Sequence, residues 1–132
     1  MKYFTIFSAI LIIPFIMNVT IPASSAGELE MPQGNVILTV TGNIANKNTE
    51  EATEFTADML KKLGLHSFRS ENDWIVGEHE FEGIKVEDLM AAVGGSGKSL
   101  HAVALNDYSA TVPLDKLIGT PALIVLNIDG KK

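Results

Sequence analysis

The sequence predicts an α+β domain, in which two helices cover a mixed, mostly antiparallel sheet. Residues 35–41 and 122–128 are rich in apolar and β-branched side chains, as is typical of buried strands. Residues 48–63 and 85–93 repeat apolar side chains at intervals of three and four, as in helices that bury one face. These four segments indicate the fold class.

The first predicted helix, residues 48–63, has the clearest start signal. Asn48 and Glu51 have the spacing of a capping box, and acidic side chains in the first turn suit the positive end of a helix. Glycine follows both predicted helices, as is common at helix ends.

The remaining predicted elements are short. Residues 65–83 predict two strands around a polar loop, and the later segments are a strand at 100–105, a short strand at 110–112 and a turn of helix at 114–118. Asp129 and Gly130 form a strong two-residue hairpin signal, with only two lysines after it. Three interpretations stay open: a C-terminally truncated chain, a last strand that pairs with another chain, or a frayed tail.

Residues 1–26 predict a cleaved secretory signal peptide. A lysine precedes a mostly apolar stretch, and small residues at 24–26 lie where a signal peptidase cleaves. Pro14 and nearby polar residues leave too short an apolar run for a comfortable membrane span. We therefore expect residues 27–132 to form one domain, periplasmic or secreted, that meets the membrane only during export.

Composition narrows the range of partners. The chain has 132 residues, a net charge of −6 and no cysteine. The acidic balance argues against nucleic acid and anionic membranes as partners. Without cysteine there are no disulfide bonds, so packing alone must stabilise the exported domain.

Residues 92–99 (AVGGSGKS) match a relaxed phosphate-binding loop. Such a loop needs a strand before it and a helix after it. Here the predicted order is helix, loop, strand, so we interpret the segment as a glycine-rich connector.

The three histidines predict no metal site. His79 lies between Glu78 and Glu80, but on a strand both glutamates face away from it. A metal would need donors from elsewhere, such as His66 across a hairpin. None of the three histidines, His66, His79 and His101, has an HxH, HExxH or similar spacing, and no catalytic residues are predicted.

Trp74, Asn106, Asp107 and Tyr108 are the candidates for a ligand pocket. Trp74 follows a polar loop, and the other three follow a predicted strand, at a type of corner that often lines pockets. The alternatives are packing for Trp74 and an ordinary turn for Asn106 and Asp107.

Five short motifs, in this order, resemble one known family. They are VTGNI at 40–44, FEGIKVEDLM at 81–90, ALNDY at 104–108, VPLD at 112–115 and IDGK at 128–131. Together they resemble the oxidoreductase molybdopterin-binding domain family, and most closely its small exported members of unassigned function. The resemblance runs from about residue 35 to the end of the chain.

The resemblance implies the sulfite-oxidase-type fold and a molybdenum cofactor ligated by a cysteine thiolate. The corresponding region here, residues 67–74, contains no cysteine, and serine or aspartate holds such a soft centre poorly. Molybdopterin is therefore implied by the family but disfavoured by the residues, and the family's activity does not transfer with its fold.

The sequence thus favours an exported, non-catalytic domain that binds a small ligand or a periplasmic protein. One alternative is a molybdopterin-dependent oxidoreductase that binds its cofactor without a protein thiolate. Another is an interaction subunit that pairs through its C-terminal edge strand.

Overall fold

The computed structural model describes residues 29–73 and 75–131, which exclude the predicted signal peptide and Trp74. The strands are β1 (Val36–Thr41), β2 (Ala52–Thr56), β3 (His66–Asn72), β4 (Ile75–Lys85), β5 (Ser99–Val103), β6 (Ser109–Pro113) and β7 (Leu123–Ile128). The helices are α1 (Ala57–Lys62) and α2 (Val86–Val93), with a 3-10 turn at Leu114–Lys116. Within these ranges, no helix has the length and apolar character to cross a bilayer.

The fold is α+β, as predicted, and the strand pairings between the named strands are antiparallel. The strands form three sheets rather than one: β1–β2, β3–β4–β7 and β5–β6. In the central sheet, β4 pairs with β3 on one side, where Phe68 lies opposite Phe81. It pairs with β7 on the other side, where Ile84 lies opposite Ile124.

The prediction of a helix over residues 48–63 is wrong for its first half. Residues 52–56 form β2, in which the side chains of Thr53 and Phe55 alternate into the core. The expected cap, Asn48, instead hydrogen-bonds the backbone N–H and O of Glu54, each at 2.8 Å. The true N-cap of α1 is Thr56, whose hydroxyl accepts the Met59 N–H at 3.3 Å. Pairing with β1 outweighs the local helical signal.

The later elements lie close to their predicted positions. Gly94 ends α2 in the left-handed conformation, with φ of 59°. At the C-terminal end, Asp129 and Gly130 both have positive φ, 51° and 73°, as a two-residue hairpin turn of type I′ requires. Ile128 and Lys131 close that turn as a bridge pair. The glycine after α2 and the Asp-Gly pair were therefore sufficient to predict the end of this helix and the C-terminal turn.

The core lies between the helices, β2 and β4. Its buried members are Phe55, Leu60, Ile84, Leu89 and Val93. Partly buried side chains from β1 and β7 pack against them. In the described part of the chain, this cluster includes no residue of β5 or β6. We call residues 99–113 the hairpin arm, because they extend from the fold without contributing to its core.

A substitution of Gly83 tests how closely β7 must lie against β4. A Cβ at this position would overlap the backbone of Ile124. We expect Gly83→Ala to lower the free energy of unfolding by about 2–3 kcal/mol, because backbone cannot move aside as a side chain can. Urea denaturation measures the change.

The matched control is Gly95→Ala. A Cβ there would meet the flexible end of the Met90 side chain, 2.5 Å away, which can rotate out of the way. The loss of stability should therefore be smaller. Equal losses in the two variants would contradict the close approach of β4 and β7.

Candidate functional site

The tip of the hairpin arm carries three of the four predicted site residues. The two strands stay in register up to Val103, which lies opposite Ser109. Asn106, Asp107 and Tyr108 lie in the loop that connects them. The structure brings these three together because they are consecutive in one tight turn. Trp74 lies outside the described residues, and its assignment to a shared pocket stays a prediction.

Local hydrogen bonds shape this loop. The Ala104 N–H donates to the Tyr108 carbonyl at 2.8 Å, and the Asp107 N–H donates to the Ala104 carbonyl at 3.0 Å. The Asn106 side-chain oxygen accepts the Tyr108 N–H at 3.3 Å. Asp107 has a φ of 65°, a conformation that Asp and Asn adopt more readily than most residues. Asn106 and Asp107 therefore act as turn formers.

The tip also carries exposed apolar and aromatic side chains. Leu105 is fully exposed, and Tyr108 and Val103 are 72% and 62% exposed. Every residue from 101 to 111 is exposed. Sites for small molecules are concave and bury most of the ligand, whereas this loop projects outward. Its geometry suits contact with another macromolecule better than enclosure of a small ligand.

A second polar cluster joins β4 to the C-terminal turn, and sequence reasoning did not identify it as a site. His79 Nδ1 lies 2.6 Å from Asp129 Oδ2, and His79 Nε2 lies 2.9 Å from the Val76 carbonyl. Asp129 Oδ1 accepts the Glu80 N–H at 2.9 Å, and the Asp129 N–H donates to the Glu80 carbonyl at 2.8 Å. One carboxylate thus holds both the imidazole ring and the end of β7.

The contacts of His79 favour its protonated form. Both ring nitrogens face acceptors, and only a doubly protonated imidazolium can donate to both. The hydrogen bond to Asp129, followed by the one to the Val76 carbonyl, raises the pKa of His79. The bond to His79, with that from the Glu80 N–H, lowers the pKa of Asp129. The two side chains form a charged pair.

This charged pair leaves His79 without a free ring nitrogen. A metal ligand and a general base both require an imidazole lone pair. In this geometry His79 therefore has a structural role, which is to attach the C-terminal turn to β4.

A polar groove of about 300 Å³ adjoins the pair and is lined by Arg69, Glu78, Glu80 and Asp129. Arg69 Nη2 lies 3.3 Å from Glu80 Oε2, so the Glu80 carboxylate in this groove already has a cationic partner. Since Asp129 is paired with His79, Glu78 is the lining carboxylate that has no ion-pair partner among the described residues.

The histidines do not converge as the hypothetical metal site would need. His66 lies opposite Gly83 in the hairpin, far along the strand from His79, and its Nε2 pairs with Asp88 Oδ2 at 3.3 Å. His101 Nδ1 pairs with the Thr111 hydroxyl at 2.8 Å. Across residues 29–73 and 75–131, no cluster of three or more His, Asp or Glu side chains could hold a metal ion.

The glycine-rich segment 92–99 runs from the end of α2 to the first residue of β5, in the predicted order of helix, loop and strand. The backbone N–H groups of Gly94, Gly95 and Ser96 have acceptors inside the protein. Gly95 donates to the Met90 carbonyl at 2.9 Å, and Ser96 donates to the Asn43 carbonyl at 3.0 Å. A phosphate-binding loop directs such groups at its ligand, so this segment is a connector that attaches the end of α2 to the loop after β1.

The side chains present do not fit the molybdenum centre of the resembled family. The chain has no cysteine. In the corresponding region β3 offers Ser67 and Ser70, and the Ser70 hydroxyl donates to the backbone carbonyl of Glu71 at 3.0 Å. Hydroxyl oxygens are poor substitutes for thiolate at a soft metal centre. No redox chemistry at such a centre follows from these residues.

The His79–Asp129 pair predicts a pH window in which it stabilises the fold. Because the folded-state pKa of His79 is raised, its contribution is complete below the ordinary histidine value of about 6.5 and is lost as the pH rises through the raised pKa. Because the folded-state pKa of Asp129 is lowered, its contribution is complete above about 3.9 and is lost as the pH falls through the lowered pKa. We expect the unfolding free energies of wild type and Asp129→Asn to differ most between about pH 4 and 6.5.

Urea unfolding at a series of pH values measures this difference. The control is His101→Gln, because His101 bonds a hydroxyl rather than a carboxylate. That variant removes an imidazole whose partner is a hydroxyl, so it tests whether loss of any histidine side chain reproduces the window. A difference between wild type and Asp129→Asn that did not change with pH would contradict the charged pair.

A scan of the sequence against protein-family profiles finds no matching family, and a search of curated protein sequences finds no match. The resemblance to molybdopterin-binding domains therefore stays a prediction based on five short motifs.

Proposed function

We propose that this chain is an exported, non-catalytic binding domain whose ligand is a periplasmic protein. The observation that carries the proposal is the exposed apolar tip of the hairpin arm, with Val103, Leu105 and Tyr108 at its surface. Contiguous exposed apolar side chains are typical of interaction sites in soluble proteins. Aromatic and aliphatic side chains that enter a pocket on the partner commonly supply most of the binding energy.

The shape of the tip favours a protein over a small ligand. Leu105 and Tyr108 project from a loop that its own hydrogen bonds hold closed, so little ordering is needed on binding. The polar side chains of Asn106 and Asp107 accompany them and would form a rim around the apolar contact. The complementary surface is a recess in the partner that accepts one aliphatic and one aromatic side chain.

The polar clusters support a non-catalytic role. His79 has both ring nitrogens engaged, and His66 and His101 each have a side-chain partner. The chain contributes no thiol nucleophile and no thiolate ligand. These observations favour binding over the alternative of an oxidoreductase.

We also propose that the domain shares ancestry with the molybdopterin-binding oxidoreductases and their sulfite-oxidase-type fold. The five ordered motifs support this relationship, and the missing cysteine supports loss of the cofactor. The alternative is an enzyme that binds the cofactor without a protein thiolate. It predicts that the purified protein contains molybdenum and pterin.

Protein purified from its own host compartment should contain neither molybdenum nor pterin. Elemental analysis and fluorescence of extracted pterin measure both. Stoichiometric amounts of the two would contradict the proposal and support the enzyme. The intact mass of the same preparation tests export, because a cleaved chain would begin at Gly27.

Site-specific photo-crosslinking in the host tests the binding surface. A benzophenone amino acid at Tyr108 should form one discrete cross-linked product with another protein. The same probe at Val76, which is 99% exposed on the β3–β4 hairpin, should form no such product. With the partner identified and purified, Leu105→Ser should weaken binding by about tenfold or more, as expected for loss of an anchoring side chain.

These two experiments test whether the tip of the hairpin arm is the binding surface. Equal cross-linking from Tyr108 and Val76, or an affinity unchanged by Leu105→Ser, would overturn the assignment of the tip. Circular dichroism of the variants checks that the fold is intact, as expected because the arm lies outside the core cluster.

A further inference from the structure

We propose that His79 is a proton-dependent clasp, which holds a bulge at the tip of β4 when the ring is charged and releases it on loss of one proton, while the C-terminal turn stays attached. The ring contacts two different segments. Its Nδ1 faces the carboxylate of Asp129 in the C-terminal turn, and its Nε2 faces the carbonyl of Val76, three residues earlier in β4. The two contacts respond differently to deprotonation because their acceptors differ in charge.

The segment that the imidazole holds is irregular. The β3–β4 register jumps from Glu78 to Ile75 between two consecutive residues of β3, so Val76 and Gly77 are extra residues on β4 and form a bulge. Gly77 has a φ of 95°, which glycine adopts readily. Because Val76 is 99% exposed, its side chain contributes no packing. We therefore expect the hydrogen bond from His79 to supply much of the order of the bulge.

A neutral imidazole cannot keep both contacts. It has one N–H donor, and its other nitrogen presents a lone pair. A hydrogen bond to a carboxylate is about twice as strong as one to a neutral carbonyl, and the contact with Asp129 is the shorter one, at 2.6 Å against 2.9 Å. The remaining proton therefore stays on Nδ1. The lone pair on Nε2 then faces the carbonyl oxygen of Val76 and repels it.

The C-terminal turn stays joined to β4 when the ring becomes neutral. Asp129 Oδ1 accepts the Glu80 N–H at 2.9 Å, and the Asp129 N–H donates to the Glu80 carbonyl at 2.8 Å. Neither bond involves the ring of His79, and the bond from Nδ1–H to Asp129 Oδ2 remains. Deprotonation therefore frees the bulge and leaves the turn in place.

The charged groups around the ring leave Asp129 as its controlling partner. The two glutamates beside His79 in β4 alternate to the other face of the sheet, as do the charged residues of β3 that lie opposite them. Strand β7 is uncharged, Lys131 lines the groove beside the ring, and Asp73 is exposed in the hairpin turn. The groups on the other face are Arg69, Glu71, Glu78 and Glu80.

The direction of the pH dependence follows from these contacts. The hydrogen bond to Asp129, followed by the one to the Val76 carbonyl, raises the pKa of His79. The ordered bulge is therefore complete below the ordinary histidine value of about 6.5 and is lost as the pH rises through the raised pKa. A rise in pH loosens one hairpin tip without unfolding the domain.

Nuclear magnetic resonance of the isotopically labelled protein, titrated with pH, tests the clasp without a variant. Long-range correlations between ring protons and ring nitrogens show which nitrogens of His79 are protonated. We expect both to be protonated at low pH and Nδ1 alone above the midpoint. At the same midpoint, the backbone order parameters of Val76 and Gly77 should fall from about 0.85 to below about 0.6. The Glu80 amide should keep its protection from hydrogen exchange.

Two variants separate the clasp from a general effect of pH. Asp129→Asn replaces the carboxylate by a neutral amide, so the midpoints of His79 and of the bulge should move together to lower pH. The matched control is His66→Gln. His66 also pairs with an aspartate, Asp88, at 3.3 Å, but it lies at the other end of the hairpin, opposite Gly83. In that variant the bulge should titrate as in the wild type.

Three results would overturn the inference. The first is a neutral His79 protonated on Nε2, which would mean that the Val76 contact is kept and the Asp129 contact is lost. The second is a bulge whose order parameters do not change at the His79 midpoint. The third is a Glu80 amide that loses its protection together with the order of the bulge. All three are measured in the wild type, and none bears on the hairpin arm, whose cross-linking is measured independently.

Discussion

Strand β4 runs through the middle of the central sheet and is bonded to a neighbour on both sides. Its pairing with β3 and β7 brings together segments that lie far apart in the chain. Two adjacent residues make this possible. Ile84 is completely buried in the core, and Gly83 leaves room for the backbone of β7. The last residue of the strand is also the N-cap position of α2, so the sheet and the helix are fixed by one continuous segment.

Local signals in the sequence predicted those elements that depend on few distant contacts. Helix α2 has its apolar face and a glycine stop, and the C-terminal turn has an Asp-Gly pair. The first predicted helix was half wrong because β2 exists through its pairing with β1, which lies earlier in the chain. Apolar residues at positions 52 and 55 have helical spacing, whereas Thr53 shares the buried strand face with Phe55 only when β1 is alongside.

The candidate sites also differ in whether neighbouring residues or distant contacts determine them. The polar loop at 106–108 was recognisable as a turn at a strand end, because its signal is contained in consecutive residues. The His79–Asp129 pair was not recognisable, because it joins side chains separated by 50 positions and depends on the register between β4 and β7. Sequence drew attention to His79 for its neighbouring glutamates, whereas its true partner had been interpreted only as part of a turn. Exposure of the arm could not be predicted either, because Leu-His-Ala-Val-Ala-Leu reads as an ordinary buried strand.

The separation of the arm from the core has an evolutionary consequence. Substitutions that unfold a domain are concentrated among its buried residues, and the described core takes none from β5 or β6. The sequence of the loop between these strands can therefore diverge under selection by its partner while the rest of the domain is conserved by the need to fold. Related chains would then be expected to share the β4 scaffold and to differ most at residues 104–108, with each version of the loop suited to a different partner.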